Sequence, residues 1–574
     1  MCGIFGFVGS SCDKARFEDS CNEMYSRGPN DAGFFYRQGV SLGHRRLSII
    51  DLSSNGHQPM QSHDDRFTII FNGEIFNYIE LKKELAEKYP FQTNSDTEVL
   101  LAGYCVWGAE ILAKLVGQFT FAIWDEQKKE LFFARDHFGI KPLFYAFHEG
   151  GLVFASEIKA LIRFGVPALA DDLTIFQYLA YGIYDHGERT FFKGILSFPR
   201  AHYGMYAGGA LTLTPYWNLL DAVSQEKAPS SLDEAIDNFN NLLHNAVSLQ
   251  LRSDVPIGIN LSSGLDSSTL FHSSEKLLSG EVHAFSSCLV DEYYNECKFI
   301  QPWLANYPRV TWHTGTLAPK DVWSLMPELS RVQDQPYGGM NTMQYFNLYR
   351  QNPGTPVTVL LEGQGMDEIL AGYVQYQAQN REAFLSSFLS PSMKCSYISS
   401  DFAQKQGVDA GHLGGVPEFA TNLQKVQFID LWYRKLPRTL RFNDHISMAF
   451  SKELRVPFLD HRLVAYAFSL PDHYKINGDV QKYLLRKAIE RDVPHADRPK
   501  NFIEFSAFQT AWFRKYFVAD IQDFLDRVSR KNRPYWDMEK MRSAVNSFLK
   551  GEGENSFFLW QIINLELWLE QYID

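Results

Sequence analysis

Short apolar runs, each closed by turn residues, recur through residues 1–217. Runs of this length that are rich in β-branched and aromatic residues predict strands, with candidates at 3–8, 69–71 (ending in an Asn-Gly turn at 72–73), 121–125 and 131–136. A helical segment from Val99 to Cys105 is preceded by residues that are natural helix caps, namely Ser95 and Asp96. The first third of the chain is therefore predicted to be rich in strands with a few helices.

The pattern changes at Leu232, where apolar residues recur at helical spacing as far as Leu251. A short buried strand follows at Ile257. Further strands are predicted at 282–289, 310–313 and 356–361, with helical segments between them. Strands that alternate with helices and are apolar throughout are typical of a parallel sheet covered by helices on both faces.

A polar segment without apolar periodicity, residues 221–231, separates the two patterns. A chain of 574 residues is too long for one hydrophobic core. We therefore predict a domain over 1–217, a linker over 218–231 and a second domain over 232–574.

Composition narrows the class of protein. The chain is 45% apolar and 21% charged, as soluble globular proteins are. A net charge of −12 disfavours a general nucleic-acid binder or a basic membrane-surface protein, and neither a membrane span nor a signal peptide is predicted. The seven cysteines are scattered without a CxxC pair, which suggests neither a disulfide framework nor a zinc site. A reducing, cytoplasmic location is expected.

The strand at Ile257 runs into a loop of small and hydroxyl residues, 262–268, and then into a helix start. Unpaired N–H groups and the positive end of a helix dipole would face an anion there. The loop lacks the Gly-Lys-Ser/Thr sequence of a Walker-type site. The alternative is an ordinary turn in which Asp266 or Ser267 caps the helix.

The strand at 356–361 ends in a second glycine loop, 362–368. Because ligands of open α/β sheets bind at the carboxyl ends of strands, the two loops could meet over one nucleotide. Asp367 and Glu368 are plausible magnesium ligands on phosphates. A helix cap with acidic residues in the first turn explains Asp367 nearly as well.

Cys2 is a candidate nucleophile. Removal of Met1 would leave Cys2 with a thiol and an α-amino group that can act as its general base. The alternative is that Cys2 only begins a buried strand. Polar segments further on supply what hydrolysis of an amino-acid amide requires: Asn72 and the Gly73 N–H for an oxyanion, Arg46 for a carboxylate, and Asp96 for an ammonium group.

Five motifs give the first domain its resemblance: Met-Cys-Gly-Ile-Phe-Gly, Arg-Gly-Pro-Asn-Asp, His-Arg-Arg-Leu-Ser-Ile, Phe-Asn-Gly-Glu-Ile-Phe-Asn and Ser-Asp-Thr-Glu. They resemble the class-II glutamine amidotransferases, which are α+β N-terminal-nucleophile hydrolases with two stacked antiparallel sheets between helices. The resemblance implies Cys2 as nucleophile and Asn72 with Gly73 as oxyanion hole. The residues that it implies for glutamine binding are Arg46, Leu47, Ile49, Ile50, Glu74 and Asp96.

The two glycine loops, with Arg455-Val456-Pro457-Phe458-Leu459-Asp460 and Lys482-Tyr483-Leu484, make the second part resemble the ATP-pyrophosphatase domain of asparagine synthetase B-type enzymes. Such domains cleave ATP between the α and β phosphates and form an acyl-adenylate that ammonia attacks. The resemblance implies that Asp266 and Asp367 bind Mg²⁺ and that Lys482 stabilises phosphate charge. It also implies the residues that contact ATP or pyrophosphate, which are Leu261, Ser262, Gly264, Asp266, Ser267, Ser268, Ser287, Glu362 and Gly363.

The sequence departs from the family pattern mainly at the acceptor end of the pocket. Ser263 replaces the usual second glycine of the first loop and adds a Cβ where backbone approaches phosphate. Gln364 stands where asparagine-forming members have a glutamate that is thought to assist proton transfer from ammonia, and an amide cannot act as a base near neutral pH. Glu362 and Met366 replace small serines, and Gln335 replaces a frequent acid.

Three functional hypotheses follow. The favoured one is a glutamine-dependent, ATP-consuming asparagine synthetase with aspartate as acceptor and ammonia passing through an internal channel. The second keeps the mechanism and changes the acceptor to another carboxylate, such as a uronic acid of a surface polysaccharide or a peptide acid. The third is a non-catalytic regulatory homologue. The resemblance makes a homodimer reasonable, and we expect neither nucleic acid nor a membrane as a partner.

Overall fold

The protein is described from a computed structural model that covers residues 2–10, 12–389, 393, 396–406, 414–492, 507–553 and 555–574. Within these ranges, no helix combines the length and apolar character needed to cross a membrane.

The described residues of the N-terminal part form twelve strands, β1 (Gly3–Val8), β2 (Asp31–Arg37), β3 (Val40–Arg46), β4 (Met60–Gln61), β5 (Phe67–Ile75), β6 (Gly117–Asp125), β7 (Glu130–Arg135), β8 (Phe144–His148), β9 (Gly151–Ala155), β10 (Leu196–Ser197), β11 (His202–Ala207) and β12 (Ala210–Pro215). Its helices are α1 (Lys14–Asn22), α2 (Tyr78–Leu85), α3 (Asp96–Trp107), α4 (Ile158–Phe164) and α5 (Asp172–Tyr181).

These strands form two six-stranded antiparallel sheets, in the orders β10-β8-β9-β1-β3-β2 and β12-β11-β7-β6-β5-β4. Alternate residues of a strand point to opposite faces. Ile4 therefore packs against Ile70 and Trp124 between the sheets, while Phe5 packs on the helix side with Phe17 of α1. The second sheet is covered on its outer face by α3. This helix–sheet–sheet–helix arrangement confirms the predicted fold of the N-terminal part.

The C-terminal part begins with α6 (Leu219–Gln225) and α7 (Leu232–Gln250). Its strands are β13 (Ile257–Asn260), β14 (Val282–Leu289), β15 (Val310–Leu317), β16 (Val359–Leu361), β17 (Glu453–Arg455), β18 (Ile476–Asn477) and β19 (Val480–Gln481). The remaining helices are α8 (Leu265–Glu275), α9 (Cys297–Leu304), α10 (Pro319–Gln333), α11 (Met340–Arg350), α12 (Met366–Ile369), α13 (Ala378–Leu389), α14 (Ser400–Gln406), α15 (Asn422–Ile429), α16 (Leu436–Ala449), α17 (His461–Ser469), α18 (Asp472–Lys475), α19 (Tyr483–Asp492), α20 (Ala507–Tyr516), α21 (Val518–Lys531), α22 (Met538–Leu549) and α23 (Phe557–Tyr572).

Five of these strands form a parallel sheet in the order β15-β14-β13-β16-β17, which confirms the predicted α/β fold with a helical C-terminal end. From β13 the chain moves outward through β14 to β15 and then returns to β16 on the other side. The crevice between β13 and β16 is thus the topological switch point, where open α/β sheets bind ligands. Ile259 pairs with Leu361, and Leu361 with Arg455, so the loops after β13 and β16 leave the same edge side by side.

Three predicted elements differ in extent from those observed. β15 continues to Leu317 because it pairs with β14 over eight residues. The strand predicted at 356–361 is shorter, Val359–Leu361, because the N–H groups of Thr358 and Val359 both donate to Pro256 O. The predicted linker, 218–231, contains α6, whose Leu219 is buried in a hydrophobic cluster.

The cysteine pattern suggested no disulfide framework, but Cys288 and Cys297 form a disulfide. The end of β14 and the start of α9 bring their Cα atoms to 5.6 Å, a separation that disulfides commonly have. The two residues are nine positions apart, and their approach depends on how α9 folds back on β14. Spacing motifs carry no signal for such a pair. Cys395 lies outside the described residues.

Candidate active sites

Cys2 lies directly before β1, and its side chain and amide are both held by distant residues. The Cys2 N–H donates to Asn72 Oδ1 at 2.9 Å, and the thiol donates to Leu47 O at 3.9 Å. Burial raises the pKa of the Cys2 thiol, while the Leu47 hydrogen bond and the positive charge of Arg46 oppose that rise. The predicted nucleophile, the oxyanion asparagine and the backbone at Leu47 therefore converge.

Asn72 and Gly73 lie within β5 and pair with Thr120 and Phe119 of β6, so the predicted Asn-Gly turn is wrong. The strand runs opposite Cys2 across the gap between the sheets. Asn72 is fully buried, and its Nδ2 lies 3.5 Å from Ser156 Oγ, which also accepts from the Ile4 N–H. Gly73 has φ of +151°, and a Cβ there would lie 2.1 Å from Gln118 O on the neighbouring strand. Only glycine fits this position without distorting the strand pair. The sequence pattern around Ser156 was interpreted as scaffold, so this residue was not among those predicted for the site.

Glu74 and Asp96 place two buried carboxylates beside this centre. Ser95 is the N-cap of α3, and Asp96 Oδ2 accepts from the Ile75 N–H at 2.9 Å. Burial raises the pKa of Asp96 to about 6. Burial, and then the charges of Glu453 and Asp96, raise the pKa of Glu74, whose Oε2 has no hydrogen-bond partner among the described residues. This oxygen is available to a ligand that donates a hydrogen bond.

The Arg46 guanidinium donates to backbone carbonyls of the adjacent turn, at 2.8 Å to Ser53 O and also to Asp51 O. No carboxylate pairs with it in the part of the chain that the structure describes. Its charge is thus fixed in position and left for an anionic ligand group. The side chains of Leu47, Ile49 and Ile50 instead pack into a cluster with residues of the C-terminal part, so only their backbone can face Cys2.

Arg27 is the functional candidate that sequence reasoning noticed without giving it a role. It is fully buried, and its Nε donates to Cys2 O at 3.0 Å. Its Nη1 also pairs with Glu157 at 3.0 Å and with Asp444 of the C-terminal part at 2.8 Å. An arginine in a Gly-Pro turn is usually solvated, so the local sequence gives no signal for these contacts.

In the C-terminal part, the loop after β13 begins α8 without a side-chain cap. The N-cap is Gly264, and no side chain of the described residues caps the first turn, so the alternative with Asp266 or Ser267 as cap is wrong. Ser262 and Ser267 share a hydrogen bond of 2.8 Å between their hydroxyls, and Ser268 Oγ donates to Gly264 O. The loop is therefore held by its own hydroxyls, while the first N–H groups of α8 stay available to an anion.

Lys482 joins the two loops. Its Nζ lies 2.7 Å from Asp266 Oδ2 and 2.6 Å from Asp367 Oδ1. Burial raises the pKa of Asp266 to about 6 against the opposing charge of Lys482. Burial lowers the pKa of Lys482, but the two carboxylates outweigh it and raise that pKa overall. The two aspartates predicted as metal ligands thus converge on one cationic group.

Contacts at the glycines and strand ends bring the remaining predicted residues to the same crevice. A Cβ on Gly363 would lie 3.3 Å from Ser267 N, so the second loop lies against the start of α8. Leu261 N donates to Phe285 O, which places it beside β14. The Ser287 hydroxyl on β14 is buried without a hydrogen-bond partner in the described structure.

The hydrogen bonds of Ser263 and Gln335 show where two of the departures from the family pattern lie. Ser263 donates from both its N–H and its hydroxyl to Glu296 Oε2, each at 2.8 Å, which anchors the loop to the residue before α9. Gln335 lies apart from the loops, since its Oε1 accepts from the Phe191 N–H and the side chain is buried.

The fold and these two centres define a class of protein, an amidotransferase with a cysteine at the start of its first strand, followed by an α/β part with nucleotide-type loops. Residues 1–217 match the glutamine amidotransferase domain, and residues 238–570 match the asparagine synthase domain. The chain belongs to the asparagine synthase family.

Relatives within this family carry different names. "Asparagine synthetase [glutamine-hydrolyzing] 3" of Bacillus subtilis is 32% identical over 86% of this chain and 85% of its own length. "Amidase chry2" of Gibberella zeae is 25% identical over 96% of each chain. Among solved structures, the glutamine phosphoribosylpyrophosphate amidotransferase of B. subtilis, at 16% identity, covers 51% of this chain and 68% of its own with a TM-score of 0.30.

Proposed function

We propose that the protein is a glutamine-dependent, ATP-consuming asparagine synthetase. It would convert aspartate, glutamine and ATP into asparagine, glutamate, AMP and pyrophosphate. The observation that carries the proposal is the pairing, in one chain, of Cys2 held on Asn72 with Lys482 held between Asp266 and Asp367. The first arrangement suits release of ammonia from glutamine, and the second suits binding of a triphosphate.

At the first site, removal of Met1 frees the Cys2 amine to take the thiol proton. The thiolate then attacks the side-chain carbonyl of glutamine, while Asn72 and the Gly73 N–H stabilise the oxyanion. The protonated Cys2 amine gives its proton to the departing nitrogen, so that ammonia leaves, and water then hydrolyses the thioester to glutamate. Arg46 would pair with the glutamine carboxylate, and Glu74 and Asp96 with its ammonium group.

At the second site, the N–H groups of α8 and the hydroxyls of Ser262, Ser267 and Ser268 would bind the phosphates that become pyrophosphate. Leu261, Ser287, Glu362 and Gly363 remain the predicted lining around the nucleotide. Lys482 would stabilise the charge that develops as the bond between the α and β phosphates breaks.

The residues present fit a magnesium ion. Asp266 and Asp367 already converge on the Lys482 ammonium, and Mg²⁺ is usually held by one or two carboxylates together with substrate phosphates and water. When bound, the ion would neutralise phosphate charge. The described residues offer no group of three or more metal-ligating side chains, which also suits an ion that arrives with ATP.

The choice of acceptor depends on the residues beside the second loop. Aspartate is the default within the family, but Gln364 and Glu362 alter the residues beside the second loop. A second candidate function therefore keeps the mechanism with another carboxylate, such as a uronic acid or a peptide acid. The expectations of a cytoplasmic location, a possible homodimer and the domain limits at 217 and 232 belong to the same proposal.

The test is incubation of the purified protein with glutamine, ATP, Mg²⁺ and aspartate, followed by assays for asparagine, AMP, pyrophosphate and glutamate. Asparagine and AMP in equal amounts support the proposal. Glutamate release without pyrophosphate or asparagine rejects aspartate and moves the search to uronic and peptide acids. If no carboxylate leads to AMP, the regulatory hypothesis replaces the enzymatic one.

A Cys2→Ala variant tests the division of labour between the two sites. It should lose synthesis from glutamine and keep synthesis from added ammonia, because only ammonia release depends on the thiol. Loss of both activities in a folded variant contradicts the two-site scheme. Mass spectrometry of the wild-type N-terminus checks whether Met1 is removed.

A further inference from the structure

Glu362 carries a buried carboxyl group at the carboxyl end of β16, an inner strand of the parallel sheet. It directly follows β16, its N–H donates to Arg455 O at 2.8 Å, and it neighbours Asn260 at the end of β13. Only 3% of the residue is exposed. Since β13 and β16 flank the topological switch point, this carboxyl group sits at the edge of the sheet where a ligand of an α/β fold reacts.

One carboxylate oxygen of Glu362 accepts a hydrogen bond, and the other has no such partner among the described residues. Asn443 of α16 donates from Nδ2 to Glu362 Oε2 at 2.9 Å. Glu362 Oε1 is buried and has no hydrogen bond of good geometry within the described residues. A buried polar atom without a partner is costly, so such an atom in a folded enzyme points to a ligand or a proton. The held oxygen fixes the orientation of the carboxyl group, and the second oxygen is the one that can react.

The surroundings of Glu362 are neutral. Burial raises the pKa of Glu362 to about 7, and hydrogen bonding by the side chains of Asn443, Gln364 and Asn260 opposes that rise. From α11, Tyr345 and Tyr349 face the same space, and burial raises the pKa of both well above the ordinary tyrosine value. Tyr349 is engaged, because its hydroxyl accepts from Asn260 Nδ2 at 2.7 Å. Glu362 is therefore the group of this cluster that exchanges a proton near neutral pH.

The position of Glu362 also suits chemistry on the nucleotide. Its neighbour Gly363 lies against Ser267 at the start of α8, the helix proposed to bind the phosphates. Gln364, two residues further along the same loop, is an amide and cannot take a proton near neutral pH. The loop thus retains a carboxylate, but at position 362 instead of 364.

We propose that Glu362 accepts the proton that ammonia loses when it attacks the adenylated carboxylate. The inference rests on the proposed function and assigns one step of it. The ammonia nitrogen forms a bond to the acyl carbon, and one N–H proton passes to Glu362 Oε1. The bond between the acyl carbon and the phosphate oxygen then breaks, and its electron pair leaves with AMP. The products are the neutral amide, AMP and protonated Glu362, which returns its proton to solvent. Asn443 is the positioning residue that orients the accepting carboxylate.

The test compares Glu362→Gln with the wild type in two assays, using aspartate as acceptor and, where aspartate fails, glucuronate. Acceptor-dependent exchange of labelled pyrophosphate into ATP reports adenylation, and amide formation from added ammonia reports the second step. General-base catalysis contributes about 10²–10⁴-fold, so the ratio of amide formation to pyrophosphate exchange should fall by about 100-fold or more in the variant. Hydroxylamine, a stronger nucleophile that is unprotonated near neutral pH, should restore part of the rate.

A second variant keeps the proposal falsifiable if Glu362→Gln disturbs the fold. Glu362→Gln combined with Gln364→Glu moves the carboxylate two residues along the loop and should recover much of the amide formation lost in the single variant. Equal losses in exchange and amide formation, without recovery in the double variant, mean that Glu362 is structural and overturn the inference. Unchanged amide formation in Glu362→Gln also overturns it. If the wild-type protein makes no pyrophosphate with any acceptor, the proposed function itself is wrong. The role proposed for Glu362 then falls with it.

Discussion

Arg27 and Asp444 form a buried ion pair, with Nη1 and Oδ2 at 2.8 Å, that joins the N-terminal part of the chain to α16 in the C-terminal part. The same guanidinium holds the Cys2 carbonyl. Asn443, the residue before Asp444, holds Glu362 beside the nucleotide loops. Two consecutive residues of one helix therefore touch the surroundings of both proposed reaction centres.

Asp444→Ala should lower the stability of the whole protein and the glutaminase rate together. Removing one partner of a buried ion pair costs about 3–5 kcal/mol, and Glu157 remains as a second partner for Arg27, so about 3 kcal/mol is expected. Denaturant unfolding and glutamate release measure the two effects. Glu149→Ala, which removes an exposed ion pair with Arg16, is the matched control and should change little. A full glutaminase rate in Asp444→Ala would show that Arg27 does not support Cys2.

Asn72→Ala should reduce glutamine hydrolysis by about 10²–10³-fold, because loss of one oxyanion donor has that effect in other acyl-transfer enzymes. Synthesis from added ammonia should be unchanged, because Asn72 lies in the N-terminal sheets, whereas the nucleotide loops follow β13 and β16 of the parallel sheet. Glutamate release and ammonia-dependent synthesis are assayed side by side. An equal fall in both rates would instead indicate a general loss of structure.

Gly372→Ala should impair pyrophosphate formation and spare glutaminase activity. A Cβ at Gly372 would lie 1.8 Å from Asp367 Oδ1 and 2.2 Å from Lys482 Cε, so the ion cluster must move apart. Gly354→Ala is the control, because a Cβ there meets nothing within 4 Å. ATP-dependent pyrophosphate release compares the two variants. Normal release in Gly372→Ala would argue against a role of the Asp266–Lys482–Asp367 cluster in ATP binding.

Asn443→Ala should shift the pH dependence of amide formation. The Asn443 hydrogen bond stabilises the ionised form and lowers the pKa of Glu362, so its loss raises that pKa. Less carboxylate is then present at any given pH, and the rise in rate that is expected for the wild type near pH 7 should move to higher pH. Amide formation from added ammonia, followed from about pH 6 to about pH 9 and compared with the wild type at each pH, measures the shift.

The control for this variant is Asn347→Ala, which removes a buried amide that bonds to Thr316 O, outside the Glu362 cluster. Its pH profile should match that of the wild type. If Asn443→Ala keeps the wild-type profile at full rate, Asn443 does not orient Glu362.

Much of the architecture follows from local patterns. The apolar runs predicted strands in the N-terminal part, and the alternation of strands and helices after Leu232 predicted the parallel sheet, because burial of strand faces imposes those patterns. The same holds for the two strand-end loops, whose small residues and helix starts are local features. The stacking of the N-terminal strands into two antiparallel sheets came only from the family resemblance. Cys2, Asn72 and Lys482 were accessible from motifs, since each motif keeps its chemistry within a few neighbouring residues.

The tertiary structure alone decided which of these groups meet. Arg27 and Asp444 are 417 positions apart, and nothing in either neighbourhood announces the other. The cap at Gly264, the disulfide of Cys288 with Cys297, and the oxygen left over on Glu362 all depend on strand order and on side chains from separate helices. Local sequence sets which segment forms a strand or a helix, whereas sheet order and packing set the burial and the partners on which reactivity depends.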